Sequence, residues 1–279
     1  MQPQQPDHLC PETVLHIYYI KGILPPDSHF PPESFVGNWV EDDFSFLFFK
    51  KPAKKLIAAL LSNYPDLKLL DEYEMSYEQW QGGAIEPVRL GRFLLNPPWI
   101  RTSPEGNEIA LTLDSGVVFG NGAHPTTRAC LEAIEIACGG GKVQTMLDLG
   151  SGTGILSLAA AKLGCNKILS VDYNFLACQT TRTNVLLNKL EEQVLVINGK
   201  AEEHSNIATD LLVANIHYDV MKDLVRTEGF LKQKWFVLSG LLRSEAEKIS
   251  TFLSTQPVHI LKRWNHDNIW NTFLGITRE

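Results

Sequence analysis

The sequence predicts an α/β protein, with a parallel sheet covered on both faces and a smaller α+β unit ahead of it. Three observations carry this expectation. At 279 residues the chain is long enough for two domains of about 150 residues each. From Thr126 onward, apolar strand-like runs alternate with helical patterns, an order that right-handed crossovers convert into a parallel sheet. Up to about Leu95 the chain is instead proline-rich and aromatic, without that rhythm. The reading divides it into a small α+β substrate-recognition domain at 1–80, a linker at 81–122 and the main domain at 123–279.

Val14 to Ile20 and Phe44 to Phe49 read as strands from their aromatic and β-branched residues. Pro25, Pro26, Pro31 and Pro32 between them demand loop. Ala53 to Asn63 places Leu56, Ile57, Leu60 and Leu61 on one helical face, and Leu67 to Tyr73 is strand-like. Gly82 to Gly122 is broken by prolines and glycines, with extended pieces at Val88 to Leu95 and Ile109 to Leu113. Helices are expected at Thr127 to Cys138, Ile155 to Leu163, Phe175 to Asn188, His217 to Arg226 and Ser244 to Leu253. Strands are expected at Thr145 to Leu149, Lys167 to Val171, Gln193 to Ile197, Leu211 to Ala214 and Trp235 to Ser239. The closing strands Val258 to Lys262 and Trp270 to Ile276 lack a helix between them, so that pair is antiparallel.

Composition excludes several classes. With 44% hydrophobic and 20% charged residues the chain is globular rather than disordered. No apolar run reaches the roughly 18 residues of a membrane helix, and MQPQQPDHLC has neither a basic leader nor an apolar block. Both point to a cytosolic protein that does not enter membranes. A net charge of −7 argues against direct nucleic-acid binding through bulk electrostatics. Cys10, Cys130, Cys138, Cys165 and Cys178 form no C-x-x-C pair, so reduced buried thiols are expected rather than disulfides or a metal cage.

Four segments carry chemistry. In MLDLGSGTGILSLAAAKLG a buried strand runs through Gly150, Gly152 and Gly154 into a helix, a turn that lets backbone approach a ligand beside free helix-start amides. Its D-x-G-x-G-x-G spacing puts Ile155 where a dinucleotide fingerprint needs glycine, and Asp148 is placed to face a cation. S-adenosylmethionine carries both an amine and a sulfonium. Asp172, about 20 residues on, suits ribose hydroxyls of any nucleoside and so fits NAD equally well. Asn215 ends a strand at the same sheet edge, where it either presents its carbonyl to an amine or caps the next helix. In FGNGAHPTTR, Thr126 or Thr127 caps a helix, and His124 titrates near neutrality, either as a proton-transfer group or as a structural loop residue.

Together the segments resemble the PrmA-type methyltransferases, which methylate amino groups of the large-subunit ribosomal protein L-eleven. The family's F-G-T-G-x-H-P-T-T loop stands here as FGNGAHPTT, its D-x-G-C-G-S-G-I-L turn as DLGSGTGIL, and its A-N-I-L as ANIH. The resemblance covers about Arg92 to the C-terminus. It implies a class I methyltransferase fold, Rossmann-like and seven-stranded with an antiparallel last strand, and protein-lysine N-methylation with S-adenosyl-L-methionine as cofactor. It further implies that Thr127, Gly150, Asp172 and Asn215 contact the cofactor, with Thr126 beside them and Gly152 and Gly154 shaping the pocket. Asn215 and His124 become the catalytic candidates, and a ribosomal protein the partner. Ser151, Asn121 and His217 depart from the family pattern. So does the N-terminal region, where the family has a ferredoxin-like domain: here it lacks a first helix and reads as degenerate or truncated. The rival readings are a related methyltransferase acting on another protein or a small molecule, a noncatalytic module, and a nicotinamide oxidoreductase, the last disfavoured by Ile155 and the lack of a Tyr-x-x-x-Lys pair.

Overall fold

The computed structural model describes residues 8–25, 27–118 and 120–278. Residues 1–7, Pro26, Phe119 and Glu279 therefore lie outside the described residues. The chain divides into two compact units, Met1–Glu86 with Gly116–Val118 and Pro87–Ser115 with Phe119–Glu279.

The first unit contains β1 (Val14–Lys21), β2 (Phe35–Glu41), β3 (Phe44–Phe49), α1 (Lys54–Asn63), β4 (Lys68–Ser76) and the single turn α2 (Tyr77–Trp80). Its strands pair antiparallel in the order β2-β3-β1-β4. Inserting one helix between β1 and β2 would complete a β-α-β-β-α-β unit, but no helix occurs among the described residues of 22–34. Prolines 25, 31 and 32 forbid one, and the loop supplies apolar volume in its place. Its Leu24 and Phe30 pack on the cluster of Tyr18, Ile20, Leu47, Phe49, Ile57 and Leu60. The Phe30 ring lies 4.7 Å from Phe35 and meets Phe49 edge-on at 5.4 Å. β2 was not expected, because its hairpin turn to β3 is Asp42-Asp43 and carries no glycine. Asp42 adopts the left-handed conformation (φ 50°) that glycine usually fills.

The second unit opens with β5 (Val88–Leu90), β6 (Phe93–Asn96) and β7 (Ile109–Thr112), a small sheet in that order. The segment expected as a linker is therefore structured. Leu90, Phe93, Leu95 and Leu111 are buried in the same cluster as the main-domain helices. There follow α3 (Pro125–Cys138), β8 (Thr145–Leu149), α4 (Ile155–Lys162), β9 (Lys167–Asp172), α5 (Phe175–Asn188), β10 (Val194–Asn198) and α6 (Ala201–His204). The chain continues through β11 (Leu211–Asn215), α7 (Tyr218–Leu224), β12 (Trp235–Leu242), α8 (Arg243–Leu253), β13 (Val258–His266) and β14 (Trp270–Thr277).

These strands form a seven-stranded sheet in the order β10-β9-β8-β11-β12-β14-β13. The first five run parallel, and β14 is antiparallel to both of its neighbours. One face buries Leu131, Ile134, Leu158 and Val185 from α3, α4 and α5; the other buries Met221, Leu224, Ile249 and Leu253 from α7 and α8. Burial on both faces explains why β11 is apolar without a break from Leu211 to Ala214, and why β8 is apolar from Met146 to Leu149 except for Asp148. The chain leaves β8 toward β9 and β10, then returns to β11 on the other side of β8. That reversal opens a crevice at the strand C-termini between β8 and β11, the place where open α/β sheets bind ligands. Four cysteines are buried, Cys10 is exposed, and all five are free thiols. No helix among the described residues is long and apolar enough to cross a membrane.

Candidate active site

The crevice is lined from the ends of three strands and one loop. After β8 the chain turns through Gly150, Gly152 and Gly154, all with positive φ (76°, 56° and 79°). Gly150 has two reasons to be glycine: this conformation strains any side chain, and a Cβ would collide with Ile216, the residue after Asn215. The turn is thereby pressed against the end of β11.

Asp172 ends β9 beside the turn. One carboxylate oxygen accepts from the Gly152 amide (2.8 Å), the other from the Asn174 amide (2.8 Å). Burial raises its pKa, although these two amides oppose the shift. Asn174 in turn caps α5 by accepting from the Leu176 amide. Each Asp172 oxygen retains acceptor capacity for hydroxyl donors.

Asp148 lies elsewhere than expected. It is completely buried beneath the turn, where one oxygen accepts from Ser157 of α4 (2.5 Å) and Ser157 also pairs with Ser170 of β9 (2.6 Å). Its other oxygen has no hydrogen-bond partner among the described residues. Burial, reinforced by the nearby Asp172 charge, pushes its pKa up to about 7. The alternation of β8 accounts for this, since the strand is covered on both sides and its penultimate side chain must enter one of the layers.

Asn215 sits at the end of β11. Its Nδ2 donates to Thr126 Oγ1 (3.4 Å), and its Oδ1 accepts no hydrogen bond among the described residues. It does not cap α7; that position belongs to His217, which is exposed and makes no side-chain cap. Thr126 Oγ1 is 2.7 Å from His124 Nδ1, and the same nitrogen accepts from the Thr126 amide (3.4 Å). A nitrogen that accepts is unprotonated, so the chain runs from Asn215 Nδ2 to the Thr126 hydroxyl to His124 Nδ1, and the ring proton sits on Nε2. His124 is thus the N-cap of α3, ahead of Pro125. Thr126 and Thr127 are buried in the first turn rather than capping it. Burial and proximity to His266 lower the His124 pKa, and the Trp270 ring packs edge-on against the imidazole at 4.8 Å.

The two small departures from the expected pattern fit quietly: Ser151 is buried 3.3 Å from the Thr181 hydroxyl, and Asn121 accepts from the Ala123 amide in its own loop. Four contributors escaped the sequence reading. Thr181 donates to the Gly152 carbonyl (2.9 Å) and Asn184 to the Thr153 carbonyl (2.9 Å), both from α5. Gly240, where a Cβ would come within 3.2 Å of Asn215 Oδ1, and Trp270, whose ring packs on His124, are the other two. Polar side chains at i and i+3, on the same face of α5 as the apolar Ala177 and Val185, were the available signal for the first two.

The model of the family described as ribosomal protein L11 methyltransferase (PrmA) matches residues 49–278. The chain belongs to this family. A ribosomal protein L11 methyltransferase of Halalkalibacterium halodurans is 30% identical over 274 residues, covering 92% of this chain and 84% of the relative. One from Desulforamulus reducens is 34% identical over 209 residues, covering 73% and 67%. Among solved structures, a ribosomal protein L11 methylase from Lactobacillus delbrueckii subsp. bulgaricus superposes with a TM-score of 0.61 at 24% identity, over 70% of this chain and all of that one. The fold is a class I methyltransferase fold. In family terms, the glycine turn, Asp172 and Asn215 occupy the three strand ends around the crevice.

Proposed function

We propose that this chain is a cytosolic enzyme that uses S-adenosylmethionine to methylate lysine amino groups of a ribosomal L11-type protein. The observation that carries the reading is Asn215, an amide at the crevice with its carbonyl oxygen unengaged and its NH₂ end fixed through Thr126 and His124. Family membership supports methyl transfer, and the names of the relatives support the acceptor.

The residues suit the cofactor. Asp172 offers acceptors for ribose hydroxyls beside the glycine turn. When bound, S-adenosylmethionine supplies an electrophilic methyl group. The chain contributes position and exclusion of water, the main sources of acceleration for a displacement at carbon. A lysine ammonium, with an ordinary pKa near 10.4, must first give a proton to solvent water before it enters the crevice. Asn215 Oδ1 then accepts a hydrogen bond from the neutral amine and aims its lone pair. The Nδ1 lone pair of His124 already serves the Thr126 amide and hydroxyl, so the ring holds Asn215 in place through Thr126 rather than taking a proton at that nitrogen. Asp148 supports the turn from below. A net charge of −7 favours encounter with a basic protein.

Two measurements test this. Calorimetry is expected to show S-adenosylhomocysteine binding, and labelled cofactor is expected to methylate L11 in a lysate. Asn215→Ala should reduce turnover by at least about 100-fold while cofactor affinity holds; unchanged activity would remove Asn215 from the mechanism. The loop that stands in place of a helix in the first unit motivates a second reading, a different acceptor. Label recovered in a low-mass product instead of protein would favour it.

A further inference from the structure

We infer that Asn184 is a positioning residue that locks the glycine turn to the loop carrying His124, an inference that rests on the methyl-transfer reading above. Asn184 and Asn188 lie one turn apart on α5, so their side chains leave the same face. Each amide imitates a neighbouring β-strand. Asn188 accepts from the Thr112 amide (2.9 Å) and donates to the Thr112 carbonyl (2.6 Å). Asn184 does the same for Asp114, at 2.7 and 2.8 Å. Four helical residues rise about 6 Å and two strand residues about 6.6 Å, so the two ladders match. In this way α5 satisfies main-chain groups that the end of β7 would otherwise bury unpaired.

The second Nδ2 proton separates the two asparagines. Asn188 gives its own to the Asn184 carbonyl, within α5 (2.8 Å). Asn184 gives its own to the Thr153 carbonyl in the glycine turn (2.9 Å). The Thr153 hydroxyl donates onward to the Gly120 carbonyl (2.7 Å). At Gly120 (φ 106°) an added Cβ would come within 2.8 Å of the Thr153 hydroxyl, so loop and turn touch with no space for slack. Four residues later, His124 begins the chain through Thr126 to Asn215. One fully buried amide therefore sets the spacing between the cofactor side and the acceptor side of the crevice.

The test compares Asn184→Asp with Asn188→Asp. Aspartate keeps the acceptor for the strand amide and loses both donated bonds, so both variants are expected to lower Tm. Only Asn184→Asp should weaken S-adenosylhomocysteine binding, by about tenfold, the worth of one buried hydrogen bond. In the cofactor-free chain it should also speed amide hydrogen exchange across 120–127, while Asn188→Asp leaves that segment protected. Thr153→Val, which cuts only the link to Gly120, should speed exchange in the same loop and gives a second route should Asn184→Asp not fold. If Asn184→Asp and Thr153→Val both leave loop exchange like that of Asn188→Asp, the inference is overturned. Faster loop exchange in a chain whose wild type binds no S-adenosylhomocysteine would uphold the lock and remove the methyl-transfer reading instead.

Discussion

Aspartates occupy both ends of the seven-stranded sheet under opposite electrostatic conditions. At the strand-start end, Asp210 precedes β11 and accepts from the Gln144 and Thr145 amides, the Thr145 hydroxyl and the Lys234 ammonium. Burial alone would raise its pKa, but these donors outweigh it and hold the carboxyl at about 2. At the strand-finish end, burial raises both Asp172 and Asp148, the latter to about 7 with an oxygen unpaired. The difference teaches what each end is for. Where main-chain and ammonium donors converge, a carboxylate is ionised, satisfied and structural. Where fewer donors meet a buried carboxylate, burial wins and the group sits above its ordinary range, Asp172 at the crevice and Asp148 in the layer beneath the turn.

Three experiments sharpen or break that contrast. The largest effect is expected for Asp172→Ala, which should weaken S-adenosylhomocysteine binding by about 10- to 100-fold, one or two hydrogen bonds to a charged group. Calorimetry measures it, and unchanged affinity would make Asp172 as structural as Asp210.

Asp210→Ala should do the reverse, lowering stability in urea by about 2 kcal/mol through donors left unpaired while cofactor affinity stays constant. Its folded pKa is depressed, so its contribution is present above about pH 4, the ordinary aspartate value, and is lost as pH falls toward 2. The wild type should therefore lose its advantage over Asp210→Ala across that window.

The effect expected for Asp148→Asn has the opposite sign. A folded pKa raised to about 7 means the native state holds a proton that the unfolded chain has released. The stabilisation is full below about pH 4 and is lost as pH rises through 7. Urea unfolding at pH 5 and pH 8 should show the wild type declining relative to Asp148→Asn as pH rises. A parallel pH dependence of the two proteins would contradict the buried, proton-holding state of Asp148.

Much of this was legible in advance where signals are local. The alternation after Thr126 marked the strands and helices of the main sheet in order, and the antiparallel closing pair followed from the missing crossover. The glycine turn, Asp172 and Asn215 announced a strand-end site because each stands where an apolar run stops. Features set by partners remote in sequence were not legible. β2 hid behind a glycine-free hairpin turn, and the segment around β5–β7 read as linker because its strands are only three or four residues long and find their core in helices that come later.

Periodicity and turn chemistry set the α/β class, the position of the crevice and the family, because both act within a few residues of where they are written. Only the tertiary structure decided the roles within the site. It sent Asp148 beneath the turn, made His124 a helix cap, left Asn215 Oδ1 open and gave Asn184 its grip on Asp114, a partner 70 residues away. A side chain's hydrogen bonds depend on which backbone groups the fold carries to it, and that is a property of the packed chain rather than of its neighbours in sequence.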